Sequence, residues 1–522
     1  MLFTSFRFAL FFAAVFAGYC LLPERRRWQW LLAANIVFYC FGSWRLAGWL
    51  CMSIVTVWGG ALALQKLETR AAAQMNGLDR AAKKVVRAAF ARRKKAVVAV
   101  VLLLNFGALA MMKYAVWTAS VLRALSGGAF SWSLAMPLGV SFYTFQAAGY
   151  LIDVYRCKYP PQKSLARFAL FVSFFPQMIQ GPISRYDQLG EQLLAGRRPE
   201  GREVLFGFQR ILWGVFKKLV VADRLAPLVQ ELLAAQVIDQ AGSLYLAGLV
   251  IYAFQLYADF SGGIDVTIGC AQMLGIRVTE NFRRPFFSKS VDEYWRRWHI
   301  SLGAWFRDYL FYPLALSAPM ARLGRFCKAH LGPELGKKTP VCLATLGVWA
   351  VTGMWHGSSA RYLLWGLCNG GVIVMSMLLE PAFRSLREKL CLRPENIGWR
   401  AFQVVRTFGL LCLFRVFDNA YTTANAFAIL KQIFTCFEPA ALVDGSLLNM
   451  QVSATGFLTA GLGVCVMFAV SLAQRKGSVR EQLARRGPAA QGAACFLLAL
   501  VSLLFGAYGV GYDAAQFIYF SF

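Results

Sequence analysis

Apolar stretches on the scale of a bilayer recur from one end of this chain to the other. They fall at residues 8–22, 28–42, 47–64, 96–112 and 132–151, then as a broken stretch at 168–183. They resume at 204–221, 244–276, 340–355, 362–379, 401–417, 457–472 and 493–510. A helix needs about 20 apolar residues to cross the hydrocarbon core, and lipid tolerates only helices or closed barrels. Charged residues make up 16% of the 522, against roughly 25% in soluble domains, and they bunch between the apolar runs. That excludes a string of soluble domains, a disordered chain, a fibrous repeat and a small disulfide scaffold. The expectation is an all-α polytopic membrane protein of about 11 transmembrane helices, with re-entrant and in-plane amphipathic pieces.

The charge balance fixes an orientation. Lys and Arg number 55 against 26 Asp and Glu, a net +29. The basic residues sit in short loops beside apolar runs, as cytoplasmic loops do. No basic stripe is interleaved with stacking aromatics, so nucleic acid is excluded as a partner and the lipid bilayer is the expected surroundings. The loop 66–95 holds ten basic residues against Glu68 and Asp79, which places it in the cytoplasm. Three helices back, the N-terminus is outside and Arg25-Arg26-Arg27 inside; 42–48 falls outside. The basic segments 322–338, 384–400 and 475–486 are inside, and a last helix carries the C-terminus, Phe520-Ser521-Phe522, outside. The first 22 residues lack an early basic n-region and a cleavage site, so they read as a first membrane helix, left uncleaved. Thirteen cysteines without a C-x-x-C pair, most inside apolar runs, read as small core residues and not as zinc ligands.

Two stretches break the helical pattern. Phe174-Phe175-Pro176 and Gly181-Pro182 cut an apolar run into pieces too short to span, which suggests a re-entrant segment lining a cavity; a Pro-kinked helix is the alternative. Over 288–314, Ser290 and Glu293 form a capping box. Val291, Tyr294, Trp295, Trp298, Leu302, Trp305, Phe306 and Tyr309 share one helical arc. This predicts one amphipathic helix on the cytoplasmic face.

Chemistry has few carriers. His356, in Gly353-Met354-Trp355-His356-Gly357, lies between two apolar runs, where an ionisable group usually faces a cavity. Histidine titrates nearest neutrality and suits acid–base work, and Gly357 leaves its ring open to substrate; a satisfied core histidine is the competing reading. His299 sits at the margin of the amphipathic arc, where a packed, hydrogen-bonded ring is the competing reading. His330 lies in a basic loop. Asp259 and Asp265 are the only charges between Leu244 and Ile276, and Ser261-Gly262-Gly263 between them reads as a helix break; ion pairs or caps explain them better than a catalytic dyad. Phosphate-binding loops, serine-hydrolase elbows and metal sites are missing, which favours a cofactor-free transferase or a transporter over an ATP-driven pump.

Several motifs, in order, carry a resemblance. They are Phe174-Phe175-Pro176-Gln177 through Gly181-Pro182-Ile183-Ser184-Arg185-Tyr186, Asp259-Phe260-Ser261-Gly262, and Asn281-Phe282 through Pro285-Phe286. Next come Tyr294-Trp295-Arg296-Arg297-Trp298-His299-Ile300-Ser301-Leu302, Trp305-Phe306-Arg307-Asp308-Tyr309, Met354-Trp355-His356-Gly357 and Phe517-Ile518-Tyr519-Phe520. From about residue 135 onward the chain resembles the membrane-bound O-acyltransferase family, in the bacterial branch that includes alginate O-acetylation and teichoic-acid D-alanylation. It departs from the alginate pattern at Gly263-Ile264 and at Ala315-Leu316. The resemblance implies a membrane domain in three parts: N-terminal helices 1–130, an acyltransferase core 131–380 and C-terminal helices 381–522. It implies a central funnel or tunnel with His356 catalytic on its floor and His299 lining the passage to the cytoplasmic side. Trp355, Trp298, Asn281, Asp308 and Gly357 become candidates for the substrate tunnel, with Trp298 or Asn281 as an oxyanion donor. No bound cofactor is expected, only an acyl thioester co-substrate, acetyl-CoA or an acyl carrier protein. The acceptor would be a cell-surface polysaccharide, with an extracytoplasmic esterase-like acetyltransferase as a partner. D-alanyl transfer from a carrier protein is the alternative. A transporter or flippase would require inverted repeats, and the two-histidine block has no counterpart in the first half.

Overall fold

The computed structural model describes residues 3–115, 119, 123, 125 and 136–508. The terminal motif at 517–520, the C-terminus and the junction at 130 lie outside the described residues. The regular elements among those described are all helices, and the sole extended pairing among them is an isolated antiparallel bridge between Phe282 and Trp298. Six helices are long and apolar enough to cross a membrane: Trp44–Met75, Arg80–Lys113, Gly242–Met273, Ala360–Leu378, Ala454–Lys476 and Pro488–Phe505. Phe6–Leu21 and Leu165–Gln177 are shorter apolar helices. The chain packs into two compact units, Met1–Phe208 with Thr267–Thr279, and Gln209–Val266 with Glu280–Phe522.

In the first unit, the basic stretch 66–95 is not the loop expected from its charge. Ala47–Met75 and Arg80–Lys113 run helically through it and leave only 76–79 as a turn. Ala, Lys, Arg and Glu are strong helix formers, so a charged segment continues the helix beyond the apolar part. Asp79 caps the second helix by accepting from the Ala82 N–H, and Lys94 pairs with Glu68 across the hairpin.

The Phe-Phe-Pro segment is non-helical, with one short 3-10 turn at Phe175–Gln177, and it is buried. Its polar backbone is satisfied by protein. The Asn35 side chain accepts from the Phe175 N–H at 2.9 Å, Gln146 donates to the Phe171 carbonyl at 2.7 Å, and Thr267 donates to the Pro176 carbonyl at 2.8 Å. Irregular backbone at depth is thus paired within its own unit.

Gly242–Met273 is one unbroken helix, most of it in the second unit, so Ser261-Gly262-Gly263 is not a break. The glycine serves close packing: a Cβ on Gly262 would stand 2.9 Å from the Gly214 carbonyl oxygen of the crossing helix. Ion pairs hold this crossing. Asp265 bonds Arg210 at 2.8 Å and Lys217 at 2.6 Å, and Asp259 bonds Lys218 at 2.6 Å. Both lysines lie in a π-helical turn, Lys217–Ala222. A single π turn offsets the register and often marks a working part of a protein.

A candidate active site around two histidines

The predicted amphipathic helix over 288–314 starts as expected and then breaks. The Ser290 hydroxyl accepts from the Glu293 N–H at 3.1 Å, while the Glu293 carboxylate returns a bond to the Lys289 N–H at 2.8 Å. Val291–Arg297 is helical, Trp298 is extended, and His299 takes left-handed backbone with φ 48° before Ile300–Phe306 resumes. The cause is a distant strand-like segment. The Arg283 N–H donates to the Arg297 carbonyl at 2.9 Å, the Ile300 N–H to the Asn281 carbonyl at 3.1 Å, and the Ser301 N–H to Asn281 Oδ1 at 2.9 Å. These bonds take backbone groups that an unbroken helix would have paired internally.

The break turns the His299 ring inward, edge-on to Phe260 at 4.9 Å between centroids. The residue is 4% exposed, and burial pushes its imidazole down to about 3 from the ordinary 6.5, so it stays neutral. His356 ends the helix Pro333–His356, with Trp355 at 4.7 Å and Trp365 at 4.6 Å from its ring.

Both histidines line one cavity of about 680 Å³, with Trp295, Trp298, Trp349 and Trp365 among its walls. Trp355 is buried behind that surface, its ring 6.4 Å from His299 and adjoining His356. Asn281 is fully buried, and its Oδ1 is committed to backbone, so it shapes the loop carrying His299 and does not line the cavity. Asp308 likewise stands outside the lining and pairs with Arg307 at 3.0 Å. Gly357 is not the open approach expected from its sequence position: a Cβ there would meet the Tyr362 ring at 2.3 Å, so the glycine makes room for that ring. His330 is exposed, with Nδ1 2.9 Å from the Phe326 carbonyl.

Sequence reasoning passed over several buried charges. Lys217 and Lys218 were counted within the apolar run 204–221, where two adjacent lysines were the available signal. Arg415 and Asp418 also line the cavity and are almost wholly buried, though charges at the end of an apolar run look like an ordinary helix boundary.

A multi-helix membrane protein with two imidazoles on one aromatic-walled cavity is the setting in which the family match falls. The model of the membrane-bound O-acyltransferase family matches residues 158–414, a span that includes His299 and His356. The chain belongs to this family and is an acyltransferase. It is 33% identical over 436 residues to the probable alginate O-acetylase AlgI of Pseudomonas aeruginosa, over 78% of this chain and 75% of that one. It is 30% identical over 329 residues to the peptidoglycan O-acetyltransferase of Helicobacter pylori, over 57% of this chain and 56% of that one. With the teichoic acid D-alanyltransferase of Bacillus subtilis it shares 27% identity over 289 residues, 54% of this chain and 68% of that one.

Proposed function

We propose that this enzyme moves an acyl group, acetyl in the first instance, from a cytoplasmic thioester to a hydroxyl of a cell-surface polysaccharide, with His356 as general base. The observation that carries this reading is the convergence of His356 and His299 on one cavity. Its imidazole withdraws the acceptor's hydroxyl proton as the oxygen attacks the acyl carbon. The tetrahedral adduct then collapses, the C–S bond breaks, and the thiolate regains the proton from the imidazolium. General base catalysis of this kind contributes roughly 10²–10⁴ in rate. His299, held neutral by burial, lines the donor side and offers an N–H to the thioester carbonyl. Trp298, on the cavity wall, is the remaining oxyanion donor among the residues expected from sequence.

The donor is acetyl-CoA or an acyl carrier protein. The basic hairpin around 66–95 faces the cytoplasm, with the N- and C-termini outside, and an esterase-like extracytoplasmic acetyltransferase is the expected partner. The names of the relatives support acetylation ahead of D-alanylation, which the lower-identity match to a D-alanyltransferase keeps as the second reading. Mass analysis of surface glycan decides the base. His356→Ala should insert and fold yet leave the glycan without O-acyl groups, and normal acylation in that variant would refute the assignment.

A further inference from the structure

Away from the cavity, the second unit gathers arginines with too little opposite charge. The segment that interrupts the helix at His299 runs on into Arg283 and Arg284. Arg284 takes left-handed backbone, φ 51° and ψ 56°, at the head of the short turn Pro285–Phe287. Long side chains rarely adopt that conformation, and such strain collects at working sites. Its guanidinium lies over the Phe287 ring, 4.7 Å from Cζ to the centroid. Among the described residues nothing accepts a hydrogen bond from it and no carboxylate pairs with it.

Arg297 adjoins it, donating from Nη1 to the Arg284 carbonyl at 3.4 Å while Nη2 pairs with Glu293. A third arginine comes from the spanning helix Ala454–Lys476. Phe468 on that helix stacks on Phe287 at 5.4 Å, and Arg475 follows two turns on, on the same side and roughly 10 Å along the axis. Burial, then the positive fields of Arg297 and Arg475, holds the Arg284 guanidinium below its ordinary value. Among the described residues, Glu293 is the one carboxylate paired within this group of three. Like charges brought together in this way destabilise the fold unless an anion joins them. Arg284 is half-buried and Arg475 exposed, so an anion reaches the group from outside.

Phosphate suits such a group, because a guanidinium presents parallel N–H donors to two phosphate oxygens. The three arginines stand outside the lining of the two-histidine cavity. They sit instead at the end of an apolar helix, beside Phe468, which is 52% exposed. That is the setting of a lipid headgroup, with its acyl chains lying along the helix.

We propose that Arg284, Arg297 and Arg475 form a binding site for a phosphate group, supplied by the headgroup of an anionic phospholipid. A phosphate there ties the segment 281–284 to 291–297, the two whose backbone bonds set the turn at His299. A soluble phosphate, inorganic or carried by the acyl donor, offers the same chemistry, and the test separates the sources.

That test measures binding without acyl transfer, so it succeeds or fails apart from the reading of His356. Full-length enzyme in non-ionic detergent is titrated with short-chain phosphatidylglycerol, and thermal unfolding reports occupancy. The midpoint should rise with the lipid. The apparent Kd should increase at least about tenfold in Arg284→Gln and in Arg475→Gln, the loss of one charge-assisted hydrogen bond. Arg486→Gln, at the end of the same basic segment, should bind like the unaltered protein. Inorganic phosphate and coenzyme A are titrated in parallel. Stabilisation by either, lost in the first two variants, at concentrations where the lipid has no effect, would overturn the lipid source and keep the phosphate site. Affinities for lipid, phosphate and coenzyme A that both substitutions leave unchanged would overturn the site itself. Arg475 is exposed, so its variant decides the matter even if Arg284→Gln does not fold.

Discussion

At His299 the backbone is left-handed, a conformation that non-glycine residues adopt rarely, though histidine more often than most. Asn281 holds it there through two bonds, its carbonyl to Ile300 and its side chain to Ser301. The packed imidazole refuses a proton that the unfolded chain would take below its ordinary 6.5, down to about 3. In that window the unfolded state binds more protons, so stability falls on acidification, by at most about 1.4 kcal/mol per pH unit. Thermal unfolding in detergent should therefore show a shallower loss between pH 6.5 and 5 in His299→Leu than in the unaltered protein. Equal slopes would show that the ring is solvated. Read by itself, the sequence marked His299 as a singular residue but put it on a continuous helix, because the amphipathic arc around it is unbroken. The segment that breaks the helix is remote in sequence and competes through backbone groups that periodicity cannot register.

Helix pairing sets the position of His356. Pro333–His356 and Ala360–Leu378 form a hairpin whose glycines let the backbones approach closely. A Cβ on Gly366 would stand 2.3 Å from the Trp349 carbonyl oxygen, and one on Gly353 2.4 Å from the Tyr362 carbonyl oxygen. Backbone atoms cannot yield as a flexible side chain can, so a methyl group must push the helices apart. Gly366→Ala should reduce transfer at least tenfold, on the order expected when a base shifts by about an ångström. Gly371→Ala, in open space on the same helix, should leave activity within twofold. Comparison of single-turnover rates for the two variants checks this, and equal rates would show that the hairpin does not position the histidine. The capping box at Ser290 was readable because its spacing is local. Gly262 was misread for the opposite reason: glycine permits a break and a close crossing equally, and only the neighbouring Gly214 distinguishes them.

Over the whole molecule, the proposed orientation rests on where the Lys and Arg residues fall. The proposed orientation, with the tip of the hairpin 47–113 in the cytoplasm, predicts that Asn76→Cys in a cysteine-free background resists an impermeant maleimide until cells are permeabilised. Arg45→Cys should label in intact cells, and the reverse pattern would invert the assignment. The apolar runs and the basic segments between them were enough to give a helical membrane protein, since burial in lipid and backbone satisfaction act over lengths that a linear pattern records, while the acyltransferase activity came from the family resemblance carried by the ordered aromatic–histidine motifs. A shared passage for His299 and His356 was already implied by the family resemblance; the helix break that turns His299 into the cavity, the withdrawal of Asn281 and Gly357 from its surface, and the addition of Arg415 and Asp418 came only from tertiary structure. Each depends on backbone bonds, ring packing or ion pairs between residues far apart in the chain, and no period in the sequence encodes which remote partner wins.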